Sequence, residues 1–118
     1  MAKDDYFFLV CKLLKYLYKC LKNNLRADWS IVAPNSKDFP ISEEYFTYIL
    51  SHLLADGYIE GFVEVRQIGG EVQFKETSGL KITPKGIEYL EENSKMKKVI
   101  EIAGSAIEIA TNIIPAIK

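Results

Sequence analysis

Three features of the chain predict an α+β domain of the winged helix-turn-helix kind, with a three-helix core, a β-hairpin wing and additional C-terminal helices. From Ile41, ISEEYFTYILSHLLADGYIEG reads as a Ser-capped amphipathic helix that stops at Asp56-Gly57. An alternating segment broken by Gly69-Gly70 follows, which is the pattern of a two-stranded ribbon. LKITPKGIEYL then opens another helix at Thr83-Pro84.

Each element has its own warrant. Residues 4 to 23 repeat apolar side chains at helical spacing in two series: Phe7, Val10, Leu14, Leu17, Leu21, and Tyr6, Leu9, Leu13, Tyr16, Cys20. The apolar arc is wide enough that one face serves the core and the second needs another helix. Lys12, Lys15, Lys19 and Lys22 fall on the remaining face, and Asn23-Asn24 ends the helix. Ser30-Ile31-Val32 is β-prone and predicts a short strand, and Pro34 predicts a short helix to about Asp38. Phe39-Pro40-Ile41 makes a turn. Ser42 is the expected N-cap, with Glu43 and Glu44 in the first turn and Tyr45 in the place of a capping-box Glu. Phe46, Ile49, Leu50, Leu53 and Leu54 then mark a core-facing helix, ended by Gly57. From Gly61 to Ile82 the period becomes two. The helix from Thr83-Pro84 carries Ile87 and Leu90 to an end or kink at Asn93-Ser94, and a last helix is expected over about 95 to 114. The domain reading is 1–94 for the winged helix and 95–118 for an amphipathic element that builds a dimer.

Composition narrows the function classes. The chain has 118 residues, 48% hydrophobic and 26% charged, which fits one globular domain with a single core. Fifteen basic and 16 acidic side chains give a formal charge of -1, which counts against strong non-specific DNA binding. Cys11 and Cys20 sit on roughly opposite faces of one helix and cannot bridge within it, so free thiols in a reducing cytoplasm are expected. The only histidine is His52, no Cys/His cluster has metal-ligand spacing, and no metal or cofactor is expected. MAKDDYFFLV does not read as a signal peptide, and Glu101, Glu108, Asn112 and Pro115 interrupt the apolar tail, which argues against a membrane span.

Candidate site residues follow from the helical wheel. With the apolar set inward, residues 42–56 turn Glu44, Thr47, Tyr48, Ser51, His52 and Ala55 outward. Thr47, Tyr48, Ser51 and His52 can contact phosphates or bases, but this face has no Arg or Lys and begins with Glu43-Glu44. On the wing, Arg66, Gln67, Lys75 and Lys81 can reach phosphates, or can simply be edge charges that prevent aggregation. The lysine stripe of the first helix, extended by Arg26, reads as a solvated face, as a dock for an acidic partner or as a flank for bent DNA. His52 has no readable catalytic partner and Gly69-Gly70 is no phosphate loop, so no enzyme is expected. The last helix has a narrow polar stripe, so Ile102, Ala106, Ile109 and Ile113 are expected to meet Leu9, Leu13 and Tyr16, within the chain or across a homodimer axis. A membrane surface is disfavoured because the stripe bears Glu instead of Lys.

CKLLKYLYKCLK, VAPNSKDFPISEEYF, ILSHLLADGYIEG and ITPKGIEYLEENSKMKK resemble the YjcQ-like family of small winged-helix proteins of Gram-positive bacteria and their prophages, over roughly Asp5 to Lys98. LLADGYI…ITPKG is more distantly similar to MarR-type regulators. The resemblance implies winged-helix architecture and a phage or prophage origin, and brings no catalytic residues. The leading expectation is therefore a dimeric DNA-binding transcriptional regulator that reads double-stranded DNA with Thr47, Tyr48, Ser51 and His52, flanked by the wing. The alternative is a protein–protein interaction module with a host or phage partner, favoured by the near-zero charge and the acidic helix start.

Overall fold

A computed structural model describes residues 4–109. Its elements are α1 (Tyr6–Lys22), α2 (Glu43–Ala55), β1 (Ile59–Arg66), β2 (Val72–Ile82), α3 (Pro84–Glu92), α4 (Ser94–Ala103) and a 3-10 turn, Gly104–Ile107. Among the described residues the fold is α+β, four α-helices and one antiparallel hairpin, an arrangement compatible with a winged helix.

The helix boundaries follow from side-chain caps. The Asp5 carboxylate accepts the Phe7 and Phe8 N–H groups at 3.0 and 3.3 Å, and Ser42 Oγ accepts the Tyr45 N–H at 3.2 Å. After α2 the Tyr58 N–H donates to Leu53 O and the Gly57 N–H to Leu54 O, with Gly57 at φ +81°. That is a Schellman closure, and it aims the chain directly into β1. Thr83 Oγ1 accepts the Gly86 N–H at 3.0 Å and donates to Gly57 O at 2.6 Å, so one hydroxyl starts α3 and pins it to the end of α2. Asn93 ends α3 and caps α4, its Oδ1 accepting the Lys95 and Met96 N–H groups.

α1 is the central helix. Leu9 and Leu14 are 0% exposed, and α3, α4, the base of β2 and the 3-10 turn all pack on it. Most of the wide apolar arc is covered within the chain: Leu9, Leu13 and Tyr16 lie in the same core as Ile107 and Ile109, while Leu21 stays 45% exposed. Of the residues expected at a dimer face, Leu9, Leu13, Tyr16 and Ile109 are internal. Ile102 and Ala106 are exposed, and Ile113 lies outside the described residues. Each leucine so buried contributes about 2 kcal/mol. Tyr16 also ties down the following loop, its hydroxyl accepting the Asp28 N–H at 3.0 Å. Cys11 and Cys20 are free and buried, and burial pushes the Cys11 thiol up to about 11.

Three elements differ from the sequence expectation. Ser30–Val32 is not a strand: the Asp28 carboxylate accepts both the N–H and the hydroxyl of Ser30, at 2.8 and 2.6 Å, and folds the segment into a turn. Pro34–Asp38 is not a helix. Asn35 takes φ +56°, and Ser36 Oγ bonds Ala33 O and the Phe39 N–H, side-chain bonds that replace a helical ladder. The last helix stops at Ala103 because Gly104 turns the chain at φ +55°. The segment then crosses α1, where Lys15 pairs with Glu108 at 3.2 Å.

The hairpin has two parts. Ile59↔Ile82 and Glu60↔Lys81 form its base, and Phe62↔Glu76 to Arg66↔Val72 form the wing. Between them the register slips at Gly61, which opposes Gly79; both have positive φ, and a Cβ on Gly61 would run into the Gly79 carbonyl.

Candidate functional site

α2 and the wing share one surface, held in place by an aromatic joint. Trp29 from the long loop meets Phe62 edge-on at 5.8 Å, and Phe62 meets Phe74 at 5.4 Å. The Trp29 Nε1–H and the Arg26 guanidinium both donate to Glu76, at 3.1 and 3.2 Å, and hold that carboxyl below its usual range. The inner face of the wing therefore leans toward the start of α2. A shallow groove of about 350 Å³ lies between them, lined by Trp29, Pro34, Phe46, Thr47, Val72 and Phe74.

The expected site residues divide into three groups. Ser51, Arg66 and Gln67 are already engaged. Ser51 donates to Glu64 Oε1 at 2.6 Å, Arg66 reaches Glu64 Oε2 at 3.5 Å, and the Gln67 side chain donates to Gln73 at 2.8 Å. Thr47 is half-buried in the groove wall. Tyr48, His52 and Lys75 stand exposed. Tyr48 is 55% exposed, with its ring 4.2 Å from that of His52, and His52 Nδ1 lies 2.9 Å from Tyr48 O. Thus Thr47, Tyr48, Ser51 and His52 share one helix flank, but only Tyr48 and His52 present free groups.

The helix and the wing contribute different charge to this surface. α2 carries Glu43 and Glu44 in its first turn, Asp56 at its C-cap, and no Lys or Arg. The wing cation Arg66 is paired with Glu64, which stands beside Ser51 of α2. The outer face of the wing mixes apolar and polar groups: Val63, 45% exposed, and Val65, 38% exposed, stand opposite exposed Lys75 and Gln73, and Ile68 at the tip is fully exposed.

The lysine stripe of α1 is not a uniform solvated face. Lys12 is buried, pairs with Asp38 at 3.2 Å and lies 5.8 Å from the Phe8 ring centre. Lys15 is paired with Glu108, while Lys19 and Lys22 remain at the surface. Sequence reasoning missed the Trp29–Phe62–Phe74 joint, the linking role of Glu64 and the Lys12–Asp38 pair. The only signal for the first was a lone tryptophan inside a polar loop. Among the described residues no group of three His, Cys, Asp or Glu side chains could hold a metal ion, and no helix is long and apolar enough to cross a membrane.

The protein-family model described as YjcQ protein matches residues 11–109. No curated protein and no solved structure matches the chain.

Proposed function

The chain belongs to the YjcQ family, and we propose that it is a non-enzymatic winged-helix module that binds another protein through α2 and the outer face of its wing. Charge carries this reading. A helix that enters a major groove faces phosphates on both sides, and unpaired carboxylates there are repelled while cations are needed to replace released counterions. α2 offers Glu43, Glu44 and Asp56 with no Lys or Arg, and the wing adds exposed Val63, Val65 and Ile68. An acidic helix flank beside a ribbon whose exposed Val63, Val65 and Ile68 alternate with Lys75 and Gln73 suits a protein partner with a mixed charged and apolar face.

A second reading is a phage- or prophage-type DNA-binding transcriptional regulator acting as a dimer. Exposed Tyr48, His52 and Lys75 favour it, because each can reach a phosphate or a base edge. Exposed Ile102 and Ala106 would then supply the remaining apolar contact between copies.

Site-specific photocrosslinking tests the first reading. A benzophenone side chain placed at Tyr48 or Val65, in cells expressing the full chain, is expected to capture the same discrete protein from both positions and none from Glu88 on α3. Crosslinks from both positions to nucleic acid alone would replace this reading by the second.

A further inference from the structure

Away from α2 and the wing, a groove of about 670 Å³ runs between α1, the end of α3 and α4. Its floor is apolar: Tyr18, Leu90 and Ile100. Its walls carry Lys15, Lys19 and Lys22 from α1 and Lys97 from α4, against Glu91 and Glu108. Lys15 is spent on Glu108. Lys22 leans over the Tyr18 ring at 4.4 Å, a contact that leaves its charge available. Among the described residues Lys19, Lys22 and Lys97 have no carboxylate within ion-pair reach. The groove therefore holds surplus positive charge in a chain whose formal charge is -1. Lys15, Lys19 and Lys22 also stand four and three residues apart on one helix, a spacing at which like charges repel.

We infer that this groove binds an acidic amphipathic segment of a partner protein. Its apolar side chains rest on Tyr18, Leu90 and Ile100, and its carboxylates meet Lys19, Lys22 and Lys97. Charge complementarity steers such a segment in and relieves the repulsion along α1, while the apolar floor supplies area buried from water. A nucleic-acid backbone fits less well, because its phosphates gain nothing from an apolar floor. The inference stands on a different face from α2 and the wing and does not depend on what those bind.

The test uses the full chain and a fluorescein-labelled helical peptide of about 16 residues with Glu and Leu recurring at helical spacing. Fluorescence anisotropy is expected to show saturable binding at low salt that weakens as salt rises. Lys19→Glu with Lys97→Glu, and separately Lys19→Gln with Lys97→Gln, are expected to weaken binding by about tenfold or more with unchanged circular dichroism. Tyr48→Ala and Val65→Asp are expected to leave it unchanged, so failure here is distinct from failure of the α2–wing reading. Absence of saturable binding at low salt, equal affinity of the lysine variants, or equal competition by duplex DNA of the same length would overturn the inference.

Discussion

Glu64 decides what the wing presents. Its carboxylate takes the Ser51 hydroxyl on one oxygen and Arg66 on the other, so two of the residues that a DNA-reading surface would use are committed to each other through an acid. No periodicity in the sequence shows this, because Ser51 and Glu64 lie on different elements. Other single residues were legible in advance: Ser42, Thr83 and Gly57 each do the capping that their residue type dictates. Cys11 gives a pH prediction. Its buried thiol has a folded value of about 11 against an ordinary 9.0. The folded chain therefore holds that proton more tightly than the unfolded chain. The contribution is complete below pH 9 and is lost as pH rises from 9 toward 11. Thermal melts across that window are expected to fall in midpoint, and Cys11→Ala to flatten the fall; an equal slope in the variant would assign the effect elsewhere.

At the scale of elements, long periodic segments were legible and short ones were not. α1, α2, the hairpin and α3 appear where the apolar spacing places them. The loop between α1 and α2 defeated the same reasoning, since Asp28 and Ser36 satisfy neighbouring backbone groups and so hold turns where β-prone residues and a helix-starting proline suggested otherwise. The C-terminal helix was overextended because apolar content continues past Gly104 while the backbone turns there. α3 is seated by a close approach: a Cβ on Gly86 would run into the Tyr58 carbonyl and the Ile82 side chain. Gly86→Ala is expected to cost about 3 kcal/mol in strain against a backbone that cannot rotate away, offset by about 1 kcal/mol of helix propensity. Urea unfolding should show the net loss, and an unchanged midpoint would mean that α3 can shift away from Tyr58 and Ile82.

At the scale of the molecule, the chain is organised around α1, which the hairpin base, α3, α4 and the C-terminal crossing all cover. The apolar breadth of α1 signalled a second packing layer, and that layer comes from the same chain for Leu9, Leu13 and Tyr16. Leu13→Ala is accordingly expected to cost about 2–5 kcal/mol as a core cavity. Its effect on Tm should be the same in dilute and concentrated protein, whereas a loss that shrinks with concentration would return Leu13 to a dimer interface. This organisation leaves two surfaces free: the acidic and apolar face of α2 with the wing, and the lysine groove between α1, α3 and α4. Both are proposed to take protein partners, and the central proposal is that the face formed by α2 and the hairpin does not read DNA. Fluorescence anisotropy of the full chain against pooled duplex fragments, over a salt series, tests it most directly. The account predicts no saturable binding at micromolar protein even in low salt. Saturable binding that falls steeply with salt, and that Tyr48→Ala, His52→Ala and Arg66→Ala weaken together, would contradict it.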